Sequence, residues 1–211
     1  MSKTSVIDIV LNERVVAVIR LNSSEFLSPV VDSLVQGGMT VLEVTSNTPG
    51  YQEEIIRIRQ LYPDNLIGAG TVTKESIANE AIKSGAQFLV SPNCNIDLIK
   101  IAHASDIPIF MGAFTPTEVG LALNNDADFI KLFPADFAGP SYLKSLKGPF
   151  DNARFMVTGG IGIDNFQEWF DAGADAVGVG GSLFHSNPDS DDVSKIQSLT
   201  EQLVSKIRAS K

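Results

Sequence analysis

Eight short β-rich runs, separated by amphipathic helical stretches, constrain the fold of this 211-residue chain more than any other feature. The runs are mostly Val, Ile, Leu and Phe, which is typical of strands buried on both faces of a parallel sheet. In chain order they are 15-VVAVIR-20, 40-TVLEVT-45, 66-LIGAG-70, 87-QFLV-90, 107-IPIFM-111, 128-DFIKLF-133, 154-RFMVT-158 and 175-DAVGVG-180. Strands that alternate with helices predict a parallel sheet with crossover helices.

The number of strand–helix units favours a closed barrel. Eight units close a (β/α)8 barrel, and the chain length lies near the lower end for that fold. The alternative is an open doubly wound sheet, which usually carries a Gly-x-Gly-x-x-Gly turn after its first strand. Here the first run continues as 20-RLNS-23, without glycine. We therefore predict an α/β fold, a single-domain (β/α)8 TIM barrel over residues 1–211, with an N-terminal helix within residues 1–14.

Composition and charge indicate the compartment and the classes of partner. The net charge of −9 repels nucleic acid and anionic membranes, so an anionic ligand must be held by local groups. No apolar run approaches the length of a membrane span, and the N-terminal stretch lacks the apolar core of a secretory signal. The single cysteine, Cys94, cannot form an internal disulfide. These features predict a cytoplasmic protein that binds neither nucleic acid nor membranes.

Polar side chains interrupt the apolar runs where the strands end. In a barrel of this kind the chemistry lies at the C-terminal ends of the strands. Arg20, Glu43, Thr71 and Lys131 all fall there, so a cation, a carboxylate, a hydroxyl and an amine are expected to converge on one mouth.

Lys131 lies in 129-FIKLFPAD-136, where a charged amine would be expensive to bury. One interpretation is a strand-end lysine whose amine reaches solvent. The other is a Schiff-base lysine, because a dry pocket disfavours the charged form and leaves a neutral amine to attack a ketone. Glu43 is similarly either an ion-pair partner or a general acid/base. Burial would raise its pKa and a neighbouring cation would lower it, and the sequence does not decide which effect is larger.

Two glycine-rich turns, 158-TGGIGIDN-165 and 178-GVGGSLF-184, follow the seventh and eighth runs. Loops at these positions, together with a helix N-terminus, form the recurrent phosphate site of this fold. Glycines let backbone N–H groups approach phosphate oxygens, and Ser182 adds a hydroxyl. The alternative is that both are only tight turns.

The other residues considered for metal binding or catalysis are better explained as packing residues. His103 and His185 lack metal-ligand spacing, and with one cysteine we expect no metal site and no cofactor. Cys94, Trp169 and Phe170 are interpreted as packing residues.

Seven stretches resemble the KHG/KDPG aldolase family in family order and across nearly the whole chain. They are 41-VLEVT-45, 67-IGAGTVT-73, 90-VSPN-93, 130-IKLFPAD-136, 148-GPF-150, 158-TGG-160 and 178-GVGGSL-183. The resemblance implies a class I aldolase that cleaves 2-keto-3-deoxy-6-phosphogluconate to pyruvate and glyceraldehyde 3-phosphate, with 4-hydroxy-2-oxoglutarate as a further candidate substrate. It also implies a homotrimer that uses no metal.

The same resemblance implies roles for individual residues. Lys131 would form the imine, Glu43 would be the acid/base, and Thr71 would bind the pyruvyl carboxylate. The phosphate would be bound by Gly159, Gly160, Gly180, Gly181 and Ser182. Many members carry an arginine where this chain has Asn47, and Arg20 is similar to the substitute found in other members.

Three alternative functions are also compatible with the sequence. The stretches 45-TSNTP-49 and 137-FAGPSYLKSLK-147 are also similar to phosphogalactonate-type members, so a 2-dehydro-3-deoxy-6-phosphogalactonate aldolase is the second candidate. A phosphosugar isomerase or epimerase on the same barrel would use Glu43 as base without an imine. A non-catalytic phosphosugar-binding barrel would bind the ligand without turnover.

Overall fold

A computed structural model describes residues 1–210 and contains the predicted closed barrel, with strands in the order β1 to β8 and β8 paired to β1. The strands are β1 Val15–Ile19, β2 Val41–Thr45, β3 Leu66–Gly70, β4 Leu89–Val90, β5 Ile109–Ala113, β6 Phe129–Leu132, β7 Phe155–Thr158 and β8 Ala176–Val179. All eight pairings are parallel. The fold class is confirmed; of the predicted domain, residue 211 lies outside the described residues.

Helices surround the barrel, and one of them closes it at the N-terminal ends of the strands. Within residues 1–210 they are α1 Lys3–Glu13, α2 Leu27–Gln36, α3 Tyr51–Leu61, α4 Glu75–Lys83, α5 Asp97–Ala104, α6 Pro116–Leu123, α7 Ala135–Ala138, α8 Pro140–Lys147, α9 Phe166–Asp171 and α10 Ser190–Ala209. The predicted N-terminal helix is α1, whose Val6, Ile7 and Val10 pack against the apolar side chains inside the barrel.

The fifth strand begins two residues later than the sequence predicts, at Ile109 instead of 107. Asp106 adopts a left-handed φ of 55°, and the Ile107 N–H donates back to the Ala102 carbonyl at the end of α5 (3.2 Å). Residues 106–107 therefore form a helix C-cap, and the strand begins only after Pro108.

Strict alternation along each strand decides which side chains face the barrel interior. On β6, Phe129 joins the interior cluster, whereas Ile130 and Leu132 pack outward against the helices. Lys131 is two residues beyond Phe129 and therefore points inward. The same parity places Glu43 inside, two residues after the interior Val41. Apolar side chains fill the barrel interior at the N-terminal ends of the strands. The polar side chains are therefore confined to the C-terminal ends of the strands.

Candidate active site

A cavity of about 580 Å³ opens at the C-terminal ends of the strands. All nine residues that the sequence predicts for the site line it: Arg20, Glu43, Thr71, Lys131, Gly159, Gly160, Gly180, Gly181 and Ser182. They come from six different strand ends and meet only through closure of the barrel. The predicted convergence on one mouth is therefore present in the structure.

Lys131 and Glu43 form a buried pair at the floor of this cavity. Lys131 is 5% exposed and Glu43 is fully buried. The Lys131 Nζ lies 3.5 Å from Glu43 Oε1 and 5.4 Å from the centre of the Phe133 ring. The amine does not extend to bulk solvent, so the structure contradicts the interpretation of Lys131 as a strand-end lysine with a solvated amine.

The environment of Glu43 raises the pKa of its carboxyl above the ordinary glutamate value. Burial is the largest cause, and the positive charge of Lys131 offsets it only in part. Neither carboxylate oxygen has a hydrogen-bond partner within residues 1–210, because the 3.5 Å contact with Lys131 is an ion pair at the long limit of hydrogen-bond distance. Burial is thus the larger effect, and it favours the protonated form of Glu43 more than water would.

Gly70 provides the space that the Glu43 side chain occupies. A Cβ at position 70 would collide with the carboxylate of Glu43 on the neighbouring strand. The glycine in 66-LIGAG-70 is therefore required for the inward orientation of Glu43, and not for turn formation.

Thr71 directly follows β3 in a backbone conformation that β-branched residues rarely adopt. Its φ is 55°, in the left-handed region, and such a conformation costs about 1–3 kcal/mol. The Ser46 Oγ donates a hydrogen bond to the Thr71 carbonyl (2.9 Å), which holds this turn. The turn keeps the half-buried Thr71 in the cavity wall.

Arg20 lies at the rim of the cavity, exposed, and its guanidinium makes no ion pair or hydrogen bond within the described part of the chain. The chain on either side of it is held firmly. Thr45 Oγ1 donates to the Ile19 carbonyl (3.0 Å), and the Leu21 N–H donates to Thr48 Oγ1 (3.1 Å). A free guanidinium on an anchored backbone is suited to binding a carboxylate. Asn47 lines the same cavity.

The first glycine loop has consecutive residues in the left-handed region, with φ of 115° at Gly159 and 68° at Gly160. Both pack closely on Asp136, since a Cβ on Gly160 would lie 2.9 Å from the Asp136 Cβ. In the second loop the Leu183 N–H donates to the Gly180 carbonyl (2.8 Å). The N–H groups of Gly159, Gly160, Gly180, Gly181 and Ser182 have no partner among residues 1–210. They are therefore available to an anion in the cavity.

The expectation of a helix N-terminus beside the second loop is wrong. Residues 181–183 form a turn, and α10 begins only at Ser190. The turn ends in the buried Leu183 and Phe184, which anchor it to the core. Any electrostatic attraction of an anion to this loop therefore comes from individual peptide N–H groups and not from a helix dipole.

Thr158 also lines the cavity, although its sequence position alone predicted no role for it. Its side chain is 8% exposed and has an Oγ1 without a hydrogen-bond partner within residues 1–210. A buried hydroxyl without a partner is unfavourable, so a ligand group is a natural partner. Parity along β7 was the available signal, because Thr158 follows the interior Met156 by two residues.

The remaining candidates lie outside this cavity. His103 Nε2 is 2.8 Å from Asp128 Oδ2, and Lys3 of α1 binds the same carboxylate. Cys94, Trp169 and Phe170 pack against the apolar core, as predicted. Within residues 1–210 no helix is both long and apolar enough to cross a membrane, and no group of three His, Cys, Asp or Glu side chains could hold a metal ion.

Comparison with known proteins identifies relatives of the whole barrel. The family model described as KDPG and KHG aldolase matches residues 6–199. A 2-dehydro-3-deoxy-phosphogluconate aldolase from Dickeya dadantii is 38% identical over 181 residues, which cover 85% of this chain and 84% of the relative. A 2-dehydro-3-deoxy-6-phosphogalactonate aldolase from Escherichia coli K12 is 35% identical over 159 residues, 74% of this chain and 77% of the relative.

A solved structure adds a chemical comparison. KDPG aldolase from Legionella pneumophila, with pyruvate captured as a covalent carbinolamine intermediate, superposes with a TM-score of 0.80 at 27% identity, covering 99% of this chain and 98% of that chain. The match of the family model over most of the barrel, together with these identities, shows that the chain belongs to the KDPG and KHG aldolase family.

Proposed function

We propose that this protein is a class I aldolase that cleaves 2-keto-3-deoxy-6-phosphogluconate to pyruvate and glyceraldehyde 3-phosphate. The observation that carries the proposal is the buried Lys131–Glu43 pair at the floor of a cavity whose rim offers a free arginine and two glycine loops. One amine beside one carboxyl supplies both the nucleophile and the proton carrier that imine chemistry needs.

The proposed reaction begins when Lys131 loses its proton and the resulting neutral amine attacks the C2 ketone to form a carbinolamine. Loss of water gives a protonated imine, which withdraws electrons from C3. Removal of the C4 hydroxyl proton lets the C3–C4 bond break, and glyceraldehyde 3-phosphate leaves. The electrons of the broken C3–C4 bond stay with C3 and form the enamine. A proton then adds to C3, and water hydrolyses the imine to release pyruvate. We assign the proton transfers to Glu43, acting through a water molecule.

The rest of the cavity would hold the two charged ends of the substrate. We assign the substrate carboxylate to Arg20 and Thr71, and the phosphate to the free N–H groups of the two glycine loops and to Ser182. We also assign the unpartnered hydroxyl of Thr158 to a hydrogen bond with a substrate hydroxyl. Fixing both ends would hold C2 within reach of Lys131.

Borohydride trapping tests the proposed imine directly. Pyruvate and borohydride together should add one reduced pyruvyl group to the protein, located on Lys131 by peptide mass spectrometry. Pyruvate alone or borohydride alone should add nothing. An isomerase or epimerase on this barrel forms no imine, so active protein that cannot be trapped would support that alternative and contradict the aldolase.

The configuration of the substrate at C4 distinguishes the phosphogluconate from the phosphogalactonate substrate. The phosphogalactonate relative is nearly as similar to this chain as the phosphogluconate relative. Pyruvate release from both purified phosphorylated epimers, followed with a coupled dehydrogenase, should give the higher kcat/KM for the gluconate form. A higher value for the galactonate form would reassign the enzyme while leaving its mechanism unchanged.

Replacing Arg20 tests which strand end binds the substrate carboxylate. Arg20→Ala should raise KM for the substrate about 10–100-fold, because a charge-assisted hydrogen bond contributes about 1.5–3 kcal/mol. Asn47→Ala is the matched control at the same rim, and its KM should change less than about threefold. Steady-state kinetics on both variants decide the assignment, and the opposite order of effects would transfer the role to Asn47.

We also propose that residues 1–211 act as one aldolase domain, that the protein is a homotrimer, and that it works in the cytoplasm. The trimer rests on the family resemblance, and the compartment rests on the single cysteine. Sedimentation velocity at micromolar concentration should give the mass of three chains; the mass of one chain would contradict the trimer.

A further inference from the structure

We propose that Asn165 is a positioning residue that holds the two glycine loops in the shape that receives the substrate phosphate. The inference rests on the proposed function of these loops and adds a residue whose side chain is absent from the cavity wall. Its basis is a pair of hydrogen bonds between one side chain and the loop at residues 159–162.

The first glycine loop has few internal supports. Its two left-handed glycines form no regular structure, and their N–H groups have no partner within residues 1–210. The hydrogen bond that reaches residues 159–161 comes from Asn165 Nδ2, which donates to the Gly160 carbonyl (2.9 Å). Without it, the peptide groups of residues 159–161 would make no hydrogen bond to the rest of the described chain, although Ile161 is buried and the Gly162 carbonyl still accepts from the Phe166 N–H (3.1 Å).

The same side chain fixes the next peptide group. Asn165 Oδ1 accepts a hydrogen bond from the Gly162 N–H (2.9 Å). One amide therefore orients both the 160–161 and the 161–162 peptide groups, and this requires a side chain that donates and accepts at once. Aspartate has no donor in its ionised form, and a hydroxyl has only one heavy atom to serve both positions.

Asn165 occupies the N-cap position of α9 but does not cap that helix. Asparagine at an N-cap usually bonds forward to the first helical N–H groups. Here the side chain makes no such bond and turns back to the loop. Its hydrogen-bonding capacity is thus used at the glycine loop, although helix capping is the commoner use of this residue type.

Gly162 is also in close contact with the second loop. A Cβ on Gly162 would lie 2.8 Å from the Ser182 Cβ and 3.2 Å from its Oγ, so the two loops are in close contact there. The support from Asn165 therefore extends from Gly160 through Gly162 to Ser182. Loss of the Asn165 amide should loosen both sides of the proposed phosphate site together.

Asn165→Ala should raise KM for the phosphorylated keto-deoxy sugar acid about tenfold or more, with kcat changed less than about twofold. The inhibition constant of inorganic phosphate should rise in parallel. Pyruvate carries no phosphate, so its borohydride trapping on Lys131 should proceed at the wild-type rate. Asn165→Ser retains an oxygen that can accept from Gly162 and should give an intermediate KM. Asn152→Ala is the control, because this exposed asparagine bonds only its neighbour Asp151.

An unchanged KM and phosphate inhibition constant in both Asn165 variants would overturn the inference. An equal loss of pyruvate trapping would also overturn it, since that would indicate general structural damage; if Asn165→Ala fails to fold, Asn165→Ser supplies the same comparison. Failure of the proposed function is distinguishable, because wild-type protein would then cleave neither epimer and trap no pyruvate.

Discussion

Lys131→Arg is expected to lower kcat for cleavage by at least about 10⁴-fold while leaving the protein folded, because removal of a covalent nucleophile is among the largest single losses known in enzymes. Arginine keeps a positive charge beside Glu43 but is never deprotonated in proteins. The cavity of about 580 Å³ leaves room for the longer side chain. Pyruvate release and borohydride trapping should both disappear.

The arginine variant separates covalent from electrostatic roles of Lys131. If Lys131 only stabilised negative charge, as in the isomerase alternative, arginine would retain much of the activity. Lys131→Ala removes both roles and should be equally inactive. Lys144→Arg on the exposed face of α8 controls for the substitution itself and should behave as wild type. Substantial turnover by Lys131→Arg would refute the imine mechanism.

Glu43→Gln is expected to lower kcat by roughly 10²–10⁴-fold, the usual contribution of a general acid/base. Glutamine is similar in shape to the protonated carboxyl but cannot transfer a proton. Because pyruvate still reaches Lys131, some trapping should persist, only more slowly. Single-turnover kinetics with and without borohydride would distinguish this slow proton transfer from a loss of binding.

The same variant should change how stability depends on pH. The pKa of Glu43 is raised in the folded protein, so the folded state binds its proton more tightly than the unfolded state does. The resulting stabilisation is fully present below the unfolded pKa, near 4.5, and is lost as the pH rises through the folded pKa. Glutamine has no such loss, so the stability of Glu43→Gln relative to wild type should increase from acid to alkaline pH.

Chemical denaturation between pH 4 and pH 8 measures this difference as the free energy of unfolding. Glu53→Gln, at an exposed glutamate on α3, should show no comparable trend. A relative stability of Glu43→Gln that falls toward alkaline pH would mean that the attraction of Lys131 outweighs burial. It would place the pKa of Glu43 below the ordinary value and weaken its assignment as the proton carrier.

Much of the site could be predicted because barrel geometry is regular. Once the apolar runs are recognised as parallel strands, the C-terminal end of each strand is the place to look, and Lys131 and Glu43 stand out as charges in apolar sequence. Thr158 carried the same parity signal but is an ordinary strand residue by composition. The role proposed for Asn165 had no signal in the sequence, because asparagine is a typical residue at a helix N-cap. Only the orientation of its side chain, toward the loop instead of the helix, distinguishes it.

The apolar runs and their spacing determined the barrel, the end of it that bears the site, and the residues that line it, because alternation and parallel pairing are periodic along the chain. The tertiary structure alone decided the 3.5 Å approach of Lys131 to Glu43, the dominance of burial over charge at Glu43, and the backward turn of Asn165. Those features depend on distances between strands far apart in sequence and on how completely water is excluded. Neither quantity is encoded in any local run of residues.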